Sequence, residues 1–219
     1  MPESVRERIY EAIRDTITYG ELLPGERLTE KELSEKFKAS RSTIRESLRQ
    51  LESEGLLTFE PHKGFRVSKL STRQVEEIYD LRWLLESYAT RLLAEKATPA
   101  QVAQLEKLQE GCRKAAAKGD LKDWLKYNNA FHLFFYDNCG NQNLKLLLDT
   151  LKRRIYRYHY IIIQIPGHFP KYLDQHQKII EACQSRDGRA AEKHMKAHLG
   201  GIKNILLDQF QKFPGMHPG

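Results

Sequence analysis

Apolar residues recur along this chain almost everywhere at the three-to-four-residue period of an α-helix, and in one short stretch as strand-like runs. Val5, Ile9, Ala12, Ile13 and Ile17 mark a helix over residues 3–19 that ends near Gly20. Pro24-Gly25 makes "LLPGERL" a turn. Thr29, with Glu32 three residues on, is a capping box that opens a short helix, "EKELSEKF". Ser40 caps the next helix, which runs to about Ser53 and is stopped by Gly55; "LLTFEPHKGFRVSKL" then reads as two short strands around a Lys63-Gly64 tip. Beyond residue 70 the period is helical throughout. Ser71 with Gln74 opens a helix to about Lys96, Thr98-Pro99 with Gln101 another to about Lys118, and Gly119-Asp120 with Asp123 a third. Further helices are expected at 141–164, 170–186 and 188–211, divided by "PGHFP" and by Asp187-Gly188. The pattern predicts a mainly α chain in three parts: residues 1–70, an all-α antiparallel helical bundle over 71–213, and a frayed tail at 214–219.

The helix after Ser40 sets Arg41, Arg45 and Arg49 on one face and Ile44, Leu48 and Leu51 on the opposing, core-facing one. A short helix, a tight turn and a second helix led by Ser-Arg-Ser-Thr is the layout of a helix-turn-helix, whose second helix enters the DNA major groove N-terminus first. There Arg reaches guanine O6 and N7 together, and Ser or Thr hydroxyls reach base edges or phosphates. The hairpin, with His62 beside Lys63, would lie along the DNA backbone as a wing. The competing reading is an ordinary solvated face, with Arg45 offset by Glu46 and Arg49 paired with Glu52 or Ser53.

Overall charge does not decide between them. The chain carries a net +7, but residues 1–70 hold 13 Lys plus Arg against 13 Asp plus Glu, so the whole excess lies in residues 71–219. The local balance is what bears on DNA: Lys36, Lys38, Arg41, Arg45 and Arg49 stand against Glu46 alone over residues 36–49, and Lys63, Arg66 and Lys69 face no acid over 61–70. Cys112, Cys139 and Cys183 are widely spaced and form no C-x-x-C pair, which argues against a disulfide framework or a thiolate zinc site and for buried thiols. No apolar run is long enough to cross a bilayer and the start lacks a secretory apolar stretch, so a cytoplasmic protein is expected.

Residues 13–67, "IRDTITYGELLPGERLTEKELSEKFKASRSTIRESLRQLESEGLLTFEPHKGFRV", resemble the winged helix-turn-helix of the GntR superfamily of bacterial transcription regulators. G-x-L-x-P-G-x-x-L-x-E-x-x-L spans Gly20 to Leu33, S-R-x-x-x-R-E-x-L-x-x-L-x-x-x-G-L spans Ser40 to Leu56, and K-G-x-x-V spans Lys63 to Val67. The resemblance implies that Lys31, Arg41, Ser42, Thr43, Arg45 and Arg49 approach DNA, with the wing near His62, Lys63 and Gly64. Lys38 departs from the family pattern, which has Gly in the turn between the two helices; a left-handed Lys there costs about 1 kcal/mol and puts the shape of the turn in question.

In the helical part, several polar residues occupy positions where the helix period calls for apolar ones. The inward stripes read Leu121, Leu125, Asn128, His132, Phe135, Cys139; then Leu173, His176, Ile180, Cys183; then Ala191, Met195, His198, Ile202, Ile205. One inward His is usually a hydrogen-bonded core residue, but three, with Asn128 one turn from the first, fit one metal held by imidazoles on facing helices. The stretches "VEEIYDLRWLLESYATRLLAEKAT", "NNAFHLFFYDNCGN" and "HQKIIEACQSRDGRAAEKHMKAHL" resemble the FadR-type C-terminal ligand-binding domain, the FCD domain. The resemblance implies metal ligands at Asn128, His132, His176 and His198, where Asn128 replaces the family's more usual Asp and should weaken the site. His194 is a substitute expected mostly at the surface. Imidazole ligands suit a divalent transition metal such as zinc or nickel.

Arg82 interrupts the apolar row Val75, Ile78, Leu85, Ala89, Leu92. It either pairs with Glu86 at i, i+4 or receives a carboxylate inside the bundle as a bidentate clamp, with Arg154 and Tyr158 as further pocket residues. The combined expectation is a dimeric, ligand-responsive transcription regulator, a repressor, that binds a palindromic operator in double-stranded DNA and a small carboxylate effector. The alternatives are a metal-dependent enzyme, against which stand the missing H-E-x-x-H and the absence of Glu or Asp on the inward stripes beside the His residues, and a non-specific architectural DNA-binding protein.

Overall fold

The computed structural model describes residues 4–163, 165 and 168–212; the expected frayed tail and the Pro166-Gly167 break lie outside the described residues. Helix α1 (Val5–Thr18) opens on Ser4, whose hydroxyl accepts from the Glu7 N–H at 3.2 Å while the Glu7 carboxylate accepts from the Ser4 N–H at 2.9 Å. It buries Ile9, Tyr10, Ile13 and Ile17. Helix α2 (Glu30–Phe37) is capped by Thr29, which accepts from the Glu32 N–H and donates to the Glu32 carboxylate at 2.6 Å. It ends on Lys38 in the left-handed region, φ 50° and ψ 45°. Lys38 therefore takes the conformation a Gly would supply, and the Ser34 hydroxyl, donating to the Ala39 carbonyl at 2.6 Å, ties the turn back onto α2.

Ser40 then caps α3 (Arg41–Ser53), whose Ile44, Leu48 and Leu51 are fully buried in a core shared with Ile9, Ile13 and Ile17. Fully burying such a side chain is worth about 1.5–3 kcal/mol, so this stripe is what fixes the opposite, polar face of α3 outward. Strands β2 (Leu57–Glu60) and β3 (Gly64–Val67) form the expected antiparallel hairpin. The tip takes positive φ at His62 (64°) and Gly64 (86°). A third strand, β1 (Arg27–Leu28), corrects the two-strand expectation: it pairs with β3 through Arg27↔Arg66 and Leu28↔Phe65, giving the order β1-β3-β2. Two residues are too few to show a strand period.

The helical part contains α4 (Thr72–Ala94), α5 (Pro99–Lys118), α6 (Leu121–Asn138), α7 (Gln142–Ile155), α8 (His159–Ile163), α9 (His168–Gln184) and α10 (Gly188–Lys212). The single helix expected over 141–164 is instead broken by a 3₁₀ turn at Tyr156–Tyr158. In a three-residue turn positions i and i+3 eclipse, which brings the rings of Tyr156 and His159 to 4.9 Å and lets the Tyr156 hydroxyl donate to the Leu125 carbonyl. A uniform α-helix would turn these bulky side chains off that line. The core gathers Leu93, Leu105, Phe131, Phe135, Ile179 and Met195, and Cys112, Cys139 and Cys183 are buried free thiols as expected. Helices α5 and α6 approach closely because Gly111 lies under the Tyr127 ring, where a Cβ would collide. The described residues divide into two compact units, one holding residues 4–72 and 210–212, the other spanning Arg73–Gln209.

Candidate functional site

At the start of α3 the Ser40 hydroxyl lies 2.8 Å from both the Ser42 and Thr43 hydroxyls, so the three oxygens cluster at the helix N-terminus. Arg41, Arg45 and Arg49 are exposed along one face, as their spacing predicts. Arg41 has no ion pair among the described residues. Arg45 pairs with Glu30 of α2 through Nε at 2.7 Å and Nη2 at 2.8 Å, not with the adjacent Glu46, because side chains one residue apart on a helix point in different directions. That hydrogen-bonded pair holds the Glu30 carboxyl below its ordinary pKa, with the charges of Arg41 and Arg49 adding to the effect. Arg49 does pair with Glu52, at 2.7 Å, while its guanidinium lies 4.3 Å from the Phe59 ring. Lys31 is exposed on α2, and His62, Lys63 and Gly64 stand at the wing tip, Lys63 only loosely near Glu60 at 3.8 Å. Arg6 was not singled out by the sequence. It comes from α1 to line one hollow with Ser42, Arg45 and Arg49, which only the packing of α1 on α3 could reveal.

In the helical unit, α6, α9 and α10 converge to bring His132, His176 and His198 together, all buried, with ligand-capable atoms within 4.8 Å of one another. Each ring has one nitrogen committed. His132 Nδ1 lies 2.5 Å from a Glu86 oxygen, His176 Nδ1 3.3 Å from the Gln109 side-chain oxygen, and His198 Nδ1 2.9 Å from the Gln175 side-chain oxygen. The oxygens accept, so each Nδ1 carries the proton and each Nε2 presents a lone pair. All three Nε2 atoms are buried and without a hydrogen-bond partner among the described residues. Three such orphans at about 1–3 kcal/mol each would be costly, and a metal ion accepting all three relieves them together. Burial holds His176 and His198 well below the ordinary imidazole pKa and lowers His132 despite Glu86, so the three rings are neutral near pH 7. The donor set thus fits a divalent ion that favours imidazole. Asn128 sits one turn before His132, buried on the same face. His194 is half-exposed and outside the cluster.

The inward stripes of the histidine helices carry no Glu or Asp, as read from the sequence, but α4 brings one to them in Glu86. It is fully buried on α4 and accepts from His132, from Arg82 Nε at 3.2 Å and Nη2 at 2.9 Å, and from the Tyr136 hydroxyl at 2.7 Å. Burial would raise its pKa, but Arg82, His132 and Tyr136 outweigh that and keep it ionised. Following the inward stripe through Arg82 one turn further would have found it. Its oxygens are all engaged, which leaves it a positioning group. Arg82 spends its Nε/Nη2 edge on Glu86, so the expected clamp is corrected to one free nitrogen: the buried Nη1, with its two N–H groups, has no partner among the described residues. The Tyr172 hydroxyl and Trp124 Nε1 are likewise buried and without a partner among the described residues, and their rings run on from the His cluster, Tyr172 at 5.7 Å from His198 and Trp124 at 6.0 Å from Tyr172. Tyr158 is fully buried, whereas Arg154 is half-exposed, with no contact to the cluster among the described residues. The buried cation on α7 is instead Lys152, two residues earlier. Its ammonium donates to the Asn129 carbonyl at 3.0 Å, and burial lowers its pKa to about 7.

Comparison with known proteins bears on both units. The sequence profile of bacterial regulatory proteins of the gntR family matches residues 5–67, and that of the FCD domain matches residues 77–201. The chain is 32% identical over 204 residues to YdhC of Bacillus subtilis (strain 168), an uncharacterized HTH-type transcriptional regulator, covering 91% of each. It is 31% identical over 204 residues to the HTH-type transcriptional repressor RspR of Escherichia coli (strain K12), covering 93% of this chain and 90% of the relative. The solved structure of E. coli McbR/YncC superposes with a TM-score of 0.85 at 25% identity, covering 95% of this chain and 99% of that one.

Proposed function

The chain belongs to the GntR family of bacterial regulatory proteins, with an FCD domain behind its winged helix-turn-helix, and from that premise we propose that it is a dimeric repressor released or tightened on its operator by a small organic acid. The family is one of DNA-binding regulators, not of enzymes. In this reading Arg41, Ser42 and Thr43 enter the major groove at the head of α3. Arg45 and Arg49 exchange Glu30 and Glu52 for phosphate or base edges, and Lys31, His62, Lys63 and Gly64 meet the backbone. Exposed ion pairs such as Arg45–Glu30 add little to stability, so giving them up for DNA is easy. Two such units on a two-fold axis read a palindrome with half-sites about one helical turn apart.

His132, His176 and His198 would hold the metal, zinc or nickel, with Asn128 as a weak fourth ligand. When bound, the ion supplies a Lewis-acid seat for a carboxylate oxygen. Arg82 offers Nη1 to a second oxygen, Glu86 holds both Arg82 and His132 in place, and Tyr172 and Trp124 offer donors to the rest of the effector. The observation that carries the reading is the set of three orphaned imidazole nitrogens alongside the free Arg82 Nη1. The test is to select genomic fragments with purified protein at near-physiological salt, sequence those retained, and measure zinc and nickel binding by calorimetry. One recurring palindrome, and metal binding lost in His176→Ala, is the expected result. Uniform retention of fragments would refute operator recognition, and equal metal binding by wild type and His176→Ala would refute the metal.

A further inference from the structure

Going round α3 at about 100° per residue, its outward side chains follow in the order Arg41, Arg45, Arg49, Ser42, Glu46, Gln50, and Ser47 comes next, where the helix turns in toward the core. On that last flank lies α1. The Ser47 hydroxyl donates to the Arg6 carbonyl at 3.0 Å, and Arg6 Nη1 donates to the Gln50 side-chain oxygen at 2.9 Å. Arg6 is thus pinned to α3 at its backbone and at its tip, and it closes the hollow lined by Ser42, Arg45, Glu46 and Arg49.

Three guanidinium groups border this hollow against the one carboxylate of Glu46. Arg45 and Arg49 have acid partners in Glu30 and Glu52, whereas Arg6 has no ion pair among the described residues. Arg6 is half-buried against α3, and its bond to Gln50 engages Nη1 alone, so the edge formed by Nε and Nη2 is uncommitted among the described residues. A planar fork held on one side and open on the other is preorganised for two oxygens of one anion. The identity of that anion follows from size. A helix with its side chains is about 10–12 Å across and the major groove is about 12 Å wide, so a helix seated in the groove sets its flanks against phosphates and its leading face against base edges. We propose that Arg6 is a DNA-backbone contact, taking a phosphate beside the flank of α3 while Arg41, Arg45 and Arg49 face the groove. Gln50 is its positioning residue: it fixes the guanidinium so that the Nε/Nη2 edge stays open. A phosphate held from α1, outside the helix-turn-helix pair itself, braces α3 against rolling in the groove and carries no sequence information. The inference rests on the DNA-binding reading of the proposed function and adds a contact that reading lacks.

The test uses the full chain and two duplexes of equal length, one carrying the palindrome recovered by genomic selection and one unrelated. Fluorescence anisotropy is followed across a range of salt concentrations, with circular dichroism to show that each variant is folded. Arg6→Ala should weaken binding to both duplexes by at least about tenfold and lower the slope of log affinity against log salt by about one. Arg6→Lys, which keeps the charge and loses the fork, should keep the slope and recover part of the affinity. Gln50→Ala breaks the same tie between α1 and α3 and leaves the cation in place, so it should cost no more than about threefold and leave the slope unchanged. Equal losses in Arg6→Ala and Gln50→Ala with the wild-type slope would make Arg6 a structural tie and overturn the contact. A loss confined to the palindrome would make it a base contact, and wild-type binding by Arg6→Ala would remove it from the interface; either result overturns the proposal and leaves the regulator standing. If the wild-type chain binds neither duplex, the DNA-binding reading falls and this contact with it.

Discussion

At the level of single residues, the helical unit is organised by polar groups that lack a partner on one side. Among the described residues, His132, His176 and His198 each commit Nδ1 and leave Nε2 without a partner, and Arg82 commits two nitrogens to Glu86 and leaves the third. Removing one of the proposed ligands and adding charge at another should therefore act in opposite directions. His176→Ala should lose most zinc affinity, while Asn128→Asp, which restores an anionic oxygen one turn from His132, should tighten it by about ten- to a hundredfold; isothermal titration with zinc reads both. An Asn128→Asp protein that binds zinc no better than wild type would place residue 128 outside the ligand set. The inward histidines and Arg82 were legible because each broke an apolar stripe. Glu86 was passed over because an acid four residues from an arginine reads as a surface pair until the fold shows both buried.

Among the elements, the two short helices of the N-terminal unit depend on one turn. Lys38 holds φ 50° there, so Lys38→Gly should stabilise that unit by about 0.5–1 kcal/mol, the left-handed strain relieved less the added freedom of Gly in the unfolded chain. Lys38→Ala should give no such gain; chemical denaturation followed by tryptophan-independent circular dichroism compares them. On α3, Arg41→Ala should weaken operator binding by about ten- to a hundredfold and relax preference at one base pair. Lys63→Ala on the wing should weaken all sequences alike and lower the salt dependence. Fluorescence anisotropy on matched and mismatched duplexes separates the two; equal losses on both duplexes for Arg41→Ala would make it a backbone contact. Helix α1 was legible from its apolar period, α2 from its cap, and α3 from cap and period together. The β1 strand and the 3₁₀ break were not, since one is too short for a period and the other is decided by where Tyr156 and His159 must pack.

For the whole molecule, burying neutral imidazoles links stability to pH. His159, His176 and His198 are held well below 6.5 by burial, so the folded protein takes up fewer protons than the unfolded chain as pH falls. Their contribution is complete above about pH 6.5, the unfolded value, and is lost as pH drops from there toward the folded values. With metal stripped by a chelator, the melting temperature should fall steadily between pH 7 and 5, and excess zinc should raise it most at the upper end, where protons do not compete for Nε2. A flat profile would mean that these histidines are accessible to protons in the folded state. The sequence alone determined the order of parts, the caps, the buried stripes and the outward arginine face, because these follow from helix period and short-range hydrogen bonds that read along the chain. Only the tertiary structure decided which residues from different helices share a chamber. It set Glu86 against His132, turned one edge of Arg82 away from any ligand, buried Lys152 in place of Arg154, and paired Arg45 with Glu30, since contacts between elements depend on packing angles that no local pattern encodes.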